Sequence, residues 1–431
     1  MASDDDSPGR RRPAPAESSS TPSEQADAAD RAEAVPPPKP APAPPEPAKR
    51  RTPGTALAII AIVLVIAGAL AVIRRPAAIP PAASPSPPTA SASPAQPAPS
   101  VDAVVDRGYL VSLAELRDRA AKAKAGEEPY ASAVANLVAW AEAAVDHHPD
   151  PSEPLRIDGT TGPFVDDTAT AYGLALAWGV TGDPRYAQAA RDIVMAWVGT
   201  TKTLENACPD TGDCQTSLIV SRNAPAFVFA MDLLKPSGAV SAADQTAFAA
   251  WLRDVILPSA STRINNWGDA GDFLRVVGTD YLGDTTGFDA AITTWRSQLD
   301  LVAADGHIPE EVRRGTSGLS YTVEALMYKL AVARIAERRG IDLWSAVGKD
   351  GGTLHKAVDY AARYQADPAG WPWNPTVDDP TPAPMWELAY AHWPEPAIAD
   401  ILTPVRPLGA DGHSAVRWTT LTNGIPIPSG G

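Results

Sequence analysis

Arg314 and Tyr321 stand seven residues apart in the stretch from Asp305 to Tyr321, downstream of Asn265, Asn266 and Trp267. Together these residue types suit a site that grips an anionic sugar. A guanidinium offers a fork matched to a carboxylate, and an indole can stack on a sugar face. If one helix already covers Arg314 and Tyr321 they share a face; if Gly315 and Gly318 interrupt it, only proximity survives. Each residue also has a plainer reading. Tyr321 fits a core or capping tyrosine, and Arg314 fits a pair with Glu310 or Glu311 one turn away. Asn265 and Asn266 fit a turn or cap, with Gly268 and Asp269 forming a loop before the next helix. Trp267 fits the core as well as a sugar platform. Glu311 is read as a partner that orients Arg314, and His147 and His148 as surface residues complementing a helix end.

The elements that must position these residues are helical. After Val105 the apolar stretches have helical spacing and β-branched alternation is absent, so the domain is expected to be all-α. Ser112 and Glu115 have capping-box spacing ahead of a helix to about residue 124, and a second helix is expected over about 129–147. Helices at about 166–180 and 183–198 are split by Thr181-Gly182-Asp183-Pro184, where Gly stops one and Pro starts the next. Further helices are expected near 218–235, 241–256, 270–281, 287–303, 319–339, 353–365 and 384–392. So many amphipathic faces are buried most naturally by stacked hairpins. No fixed-period repeat is present, which favours an (α/α) toroid of paired antiparallel helices over a repeat solenoid.

Composition divides the rest of the chain. Residues 1–51 are rich in Pro, Ala, Ser and acids and read as a disordered tail on the cytoplasmic side. Thr52 to Ile73 are 22 residues without a charge, long enough for a transmembrane helix. Lys39, Lys49, Arg50 and Arg51 before it, against Arg74 and Arg75 after it, place the N-terminus inside. The expectation is a single-pass plasma-membrane protein with residues 74–105 as a Pro/Ala/Ser-rich linker and 106–431 as an extracellular domain. Cys208 and Cys214, the only cysteines, lie six apart in a turn-rich segment and are expected to form a disulfide outside the cell. Residues 1–100 carry nine acids and ten bases, so the net charge of −15 resides in the remainder, and nucleic acid is an unsuitable partner.

Asp305-Gly306, Pro309, Glu311, Arg314, Leu319, Tyr321 and Ala325-Leu326, in that order, resemble the alginate lyase family. Ala171 to Trp178 followed by Thr181 to Tyr186 resembles that family's first hairpin, and Asn265-Asn266 its paired asparagines. The resemblance covers about residues 106–395 and implies an incomplete (α/α) toroid that breaks a glycosidic bond of a uronate polysaccharide by β-elimination. It implies that Asn266 and Arg314 neutralise the substrate carboxylate, and that Tyr321 takes the C5 proton and returns it to the leaving oxygen. Asn265, Trp267, His307 and Glu311 are the expected substrate-binding or supporting residues. No metal or organic cofactor is required. The family's histidine after the asparagine pair is Trp267 here, and its histidine before the tyrosine is Ser320; His307 is the nearest imidazole to replace them. The implied partner, an acidic polysaccharide or oligosaccharide, meets a domain of like charge, so local bases must overcome the global field. Two other readings share the toroid: a glycoside hydrolase using carboxylates such as Asp269, Asp272, Glu310 or Glu311, and a glycan binder without catalysis.

Overall fold

The computed structural model describes residues 107–209, 214–378, 383–412 and 414–428. The expected tail, transmembrane helix and linker lie outside the described residues. Helix α1 (Leu113–Lys124) begins at the expected capping box: Glu115 N donates to Ser112 Oγ (3.2 Å) and Ser112 N to Glu115 Oε2 (2.7 Å). Helix α2 (Tyr130–Ala144) follows, then α3 (Pro163–Thr181) and α4 (Pro184–Thr200). The α3–α4 joint is as its sequence requires: Gly182 takes the left-handed conformation at φ 74° and Asp183 caps Arg185 N. Before and after the α3–α4 pair, β1 (Leu155–Arg156) and β2 (Leu204–Glu205) form a two-residue parallel bridge that helical periodicity did not foretell.

Next come α5 (Gln215–Leu234), α6 (Ala242–Trp251), α7 (Asn266–Leu282), α8 (Thr285–Leu299), the single-turn α9 (Pro309–Val312) and α10 (Gly318–Arg338). The set ends with α11 (Leu354–Ala366), α12 (Met385–His392), α13 (Pro396–Leu402) and α14 (Thr419–Asn423). Two layers result. The inner helices α3, α5, α7, α10 and α12 are buried along most of their length, whereas α4, α8 and α11 bury one stripe and expose the other. The segment Gln215–Ser237 is apolar and long enough to cross a bilayer, but 94% of its apolar window is buried in the protein, which makes it a core helix.

The inner helices contact one another in sequence, α3 to α5 to α7 to α10 to α12, and α14 joins α12 to α1 and α2, which pack on α3. The circuit of helix contacts is therefore closed by a segment near the end of the described chain. Arg119 Nη1 donates to Leu421 O (2.8 Å), Thr420 Oγ1 to Glu387 Oε1 (2.5 Å), and Trp418 meets Trp140 edge-on at 5.1 Å. Helices α13 and α14 were not foreseen, because each is too short to display a period.

Candidate active site

Helix α7 starts at Asn266, four residues before the expected 270, so Asn266, Trp267, Gly268 and Asp269 form its first turn and not a loop. Asn265 is the cap: its Oδ1 accepts from Trp267 N at 3.2 Å. Glycine makes this start possible. A Cβ on Gly268 would sit 1.6 Å from Arg263 O, and one on Gly271 1.8 Å from Ser261 O, so the chain at 261–263 lies directly against the helix. That segment is tied in turn to the disulfide loop. Cys208 and Cys214 are bonded with Cα atoms 5.5 Å apart, as expected, and Thr262 N donates to Pro209 O at 2.8 Å.

The second half of the site comes from the break between α9 and α10. Gly315 adopts φ 62°, a turn open to glycine at little cost, and a 3-10 turn over Gly315–Ser317 leads into α10. Arg314 and Tyr321 therefore do not share a continuous helix. They meet nonetheless, with the Arg314 guanidinium 4.1 Å over the Tyr321 ring. Tyr321 is buried beneath it, and Arg314 reaches solvent with 15% of its side chain.

Glu311 joins the two halves. Its Oε1 accepts from Asn266 N (2.6 Å) and its Oε2 lies 3.9 Å from Arg314 Nη1. It is fully buried, and burial pushes its pKa up to about 8; Arg314 pulls the other way, while Asp269 and Glu324 add to the rise. Behind Asn266 stands Glu324, which accepts from Asn266 Nδ2 (3.1 Å) and Tyr328 Oη (3.2 Å) and pairs with the buried Arg222. The Asn266 amide carries a second N–H beyond the one given to Glu324. Lys329 pairs with Asp269, and both are buried; burial raises the Asp269 pKa and the lysine lowers it.

Asn265, Asn266, Glu311, Arg314 and Tyr321 are thus brought together. Trp267 is buried with the Arg263 guanidinium 4.5 Å over its ring. His307 makes its contacts with Asp305 Oδ1 (2.6 Å through Nδ1) and with the rings of Trp373 (4.8 Å) and Tyr360 (6.1 Å). Trp373 is 45% exposed and held by its Nε1, which donates to Tyr360 Oη at 2.7 Å. The loop beyond it is fastened to the turn before α10: Asp378 N donates to Thr316 O (3.0 Å) and Ser317 Oγ to Asp378 Oδ2 (2.7 Å).

Sequence reasoning passed over Glu324, Arg222 and Lys329. A signal was present for the bases, since each is an isolated charge in a long apolar run, and a charge so placed must have a buried partner. The carboxylates considered for hydrolysis are engaged: Asp269 with Lys329, Asp272 with Arg275 (3.0 Å), and Glu310 with Arg313. His147 is not a solvated helix-end residue. It lies past α2, half-buried, with Nε2 on Asp167, which also accepts from Trp197 Nε1 at 2.7 Å.

The paired helices form a ring in which Asn266, Arg314 and Tyr321 lie together, the architecture of a toroidal polysaccharide lyase. The chain matches the alginate lyase family over residues 119–371, more than half its length, and belongs to that family of carbon–oxygen lyases. Among solved structures it resembles an alginate lyase from Bacteroides ovatus, at 19% identity and a TM-score of 0.57, covering 73% of this chain and 99% of that one. It also resembles alginate lyase A1-III from Sphingomonas species A1, at 17% identity and a TM-score of 0.54, covering 75% and 100%. A variant of alginate lyase A1-III complexed with tetrasaccharide aligns at 16% identity and a TM-score of 0.58, covering 76% and 98%. These likenesses define the fold. None of the curated proteins matches the chain.

Proposed function

We propose that this polysaccharide lyase cleaves a uronate-containing glycan of the alginate class by β-elimination at the Asn266–Arg314–Tyr321 group. The observation that carries the reading is the Arg314 guanidinium stacked 4.1 Å over Tyr321, with Glu311 tying Asn266 to the same arginine. Arg314 and the second amide N–H of Asn266 bind the substrate carboxylate and disperse the negative charge that develops when C5 loses its proton. The nearby guanidinium stabilises a phenolate on Tyr321, which takes that proton. The electron pair forms the C4–C5 double bond, the C4–O bond breaks, and the phenol returns the proton to the leaving oxygen. Trp373, exposed above the turn that precedes α10, supplies a stacking face for a neighbouring sugar.

The 22 uncharged residues from Thr52 to Ile73 support an anchor in the plasma membrane, with the lyase domain outside. The disulfide agrees with an oxidising compartment.

The test is ultraviolet absorbance at about 235 nm, where a C4–C5 unsaturated uronate absorbs, while the full-length chain is incubated with alginate and other polyuronates. Such general acid–base groups contribute about 10²–10⁴-fold, so Tyr321→Phe is expected to remove at least a hundredfold of the rate. Binding of a polyuronate with no absorbance rise would show the toroid to be a glycan receptor instead.

A further inference from the structure

We propose that His355, Asp359 and Glu395 form a binding site for a divalent cation of the zinc class, independent of the lyase reading. His355 and Asp359 lie one turn apart on α11, the spacing that puts two ligands on one helix face, and Glu395 caps the start of α13. The His355 Nε2 atom lies 2.7 Å from Glu395 Oε1 and 3.7 Å from Asp359 Oδ1. All three potential donor atoms lie within 4.8 Å of one another.

The imidazole is aimed by packing. Its ring stacks on Trp393 at 4.7 Å and 19°, and Trp393 is itself braced edge-on by Trp344 at 5.3 Å. Ligands around a tetrahedral zinc lie about 3.3–3.4 Å apart, given metal–ligand distances of about 2.0–2.1 Å. The 2.7 Å contact therefore opens, and the 3.7 Å contact closes, by less than an ångström on binding. The imidazole hydrogen-bonds Glu395 and not Asp359, which stands 3.7 Å away and is repelled by the second carboxylate; a dication satisfies both. With one nitrogen and two oxygens the donor set favours zinc over calcium, which takes six to eight oxygens. The side chains are 39–50% exposed, leaving room for water to complete the shell.

An ion here would clip α11 to α13 on the outside of the ring. The same helix carries Tyr360, which holds Trp373, so the clip lies one residue from the support of the proposed sugar platform.

Isothermal titration of the tag-free full-length chain with Zn2+ tests the site, alongside His355→Ala, Glu395→Gln and a Ca2+ titration. Glu395→Gln is informative because an amide oxygen still accepts from His355 yet is a poor zinc ligand. The expected result is one saturable Zn2+ whose affinity falls at least tenfold in both variants, with Zn2+ raising the melting temperature of the parent and not of Glu395→Gln. Unchanged affinity in Glu395→Gln, no saturable uptake, or Ca2+ binding in place of Zn2+ would overturn the proposal. Melting of each variant without metal shows that it is folded.

Discussion

Glu311 decides how Arg314 presents its charge. Under the proposed function, a protonated Glu311 still accepts from Asn266 N without drawing on the guanidinium that receives the substrate carboxylate, whereas an ionised one competes for it. Because its folded pKa, about 8, exceeds the usual glutamate value, its contribution to stability is complete below the unfolded pKa near 4.5 and is lost as pH rises through about 8. In Glu311→Gln the Asn266 hydrogen bond survives and the titration disappears. The expected outcome is a KM that climbs above about pH 8 in the parent and stays level in the variant, read from KM against pH, together with a smaller loss of melting temperature between pH 6 and 9. Equal profiles would remove Glu311 from substrate binding. Arg314, Tyr321 and Asn266 were offered by the sequence through the order of their motifs, and the fold brings them together. Glu324 and Arg222 were less legible, since their pairing joins α10 to α5 and no local spacing records it.

At the scale of elements, boundaries were legible wherever backbone chemistry is written in side chains. The Ser112–Glu115 box and the Gly182–Asp183–Pro184 joint fall where capping rules place them. The start of α7 was not, because the helix begins among asparagines and glycines that usually mark loops; Asn265 caps it, and the glycines are there because residues 261–263 press against the helix, a tertiary fact. The break before α10 has a similar lesson, for Arg314 reaches Tyr321 by folding back across a turn and not by helical register. The loop carrying Trp373 is fixed to that turn through Asp378, so the aromatic face and the Arg314–Tyr321 pair are held by one connection. Trp373→Ala is expected to raise KM about two- to tenfold with kcat nearly constant, as an aromatic contact worth about 0.5–1.5 kcal/mol would. A fall in kcat with KM unchanged would place the indole in catalysis rather than binding.

For the whole molecule, the toroid followed from the number of amphipathic faces needing cover, but its closure did not, since it depends on short helices with no period of their own. Trp418 is central to that closure. It is buried, takes φ 57°, packs edge-on against Trp140, and its backbone N–H donates to Gly409 O at 2.8 Å. Trp418→Ala is expected to cost about 3–5 kcal/mol, measured from the midpoint of denaturant unfolding. A loss under about 1 kcal/mol, the ordinary size of a point-mutant effect, would mean that the closing segment detaches as a separate unit.

The bond from Arg119 to Leu421 spans 302 residues. At translation rates of about 5–20 residues per second, the first hairpin waits about 15–60 seconds for the strap that seals it. Throughout synthesis the protein is an arc whose two edges show apolar helix faces to the surroundings, and its topology makes it a client of whatever shields such surfaces. The short helix Thr419–Asn423 is thus the latch on a ring that stays open until that segment has been made.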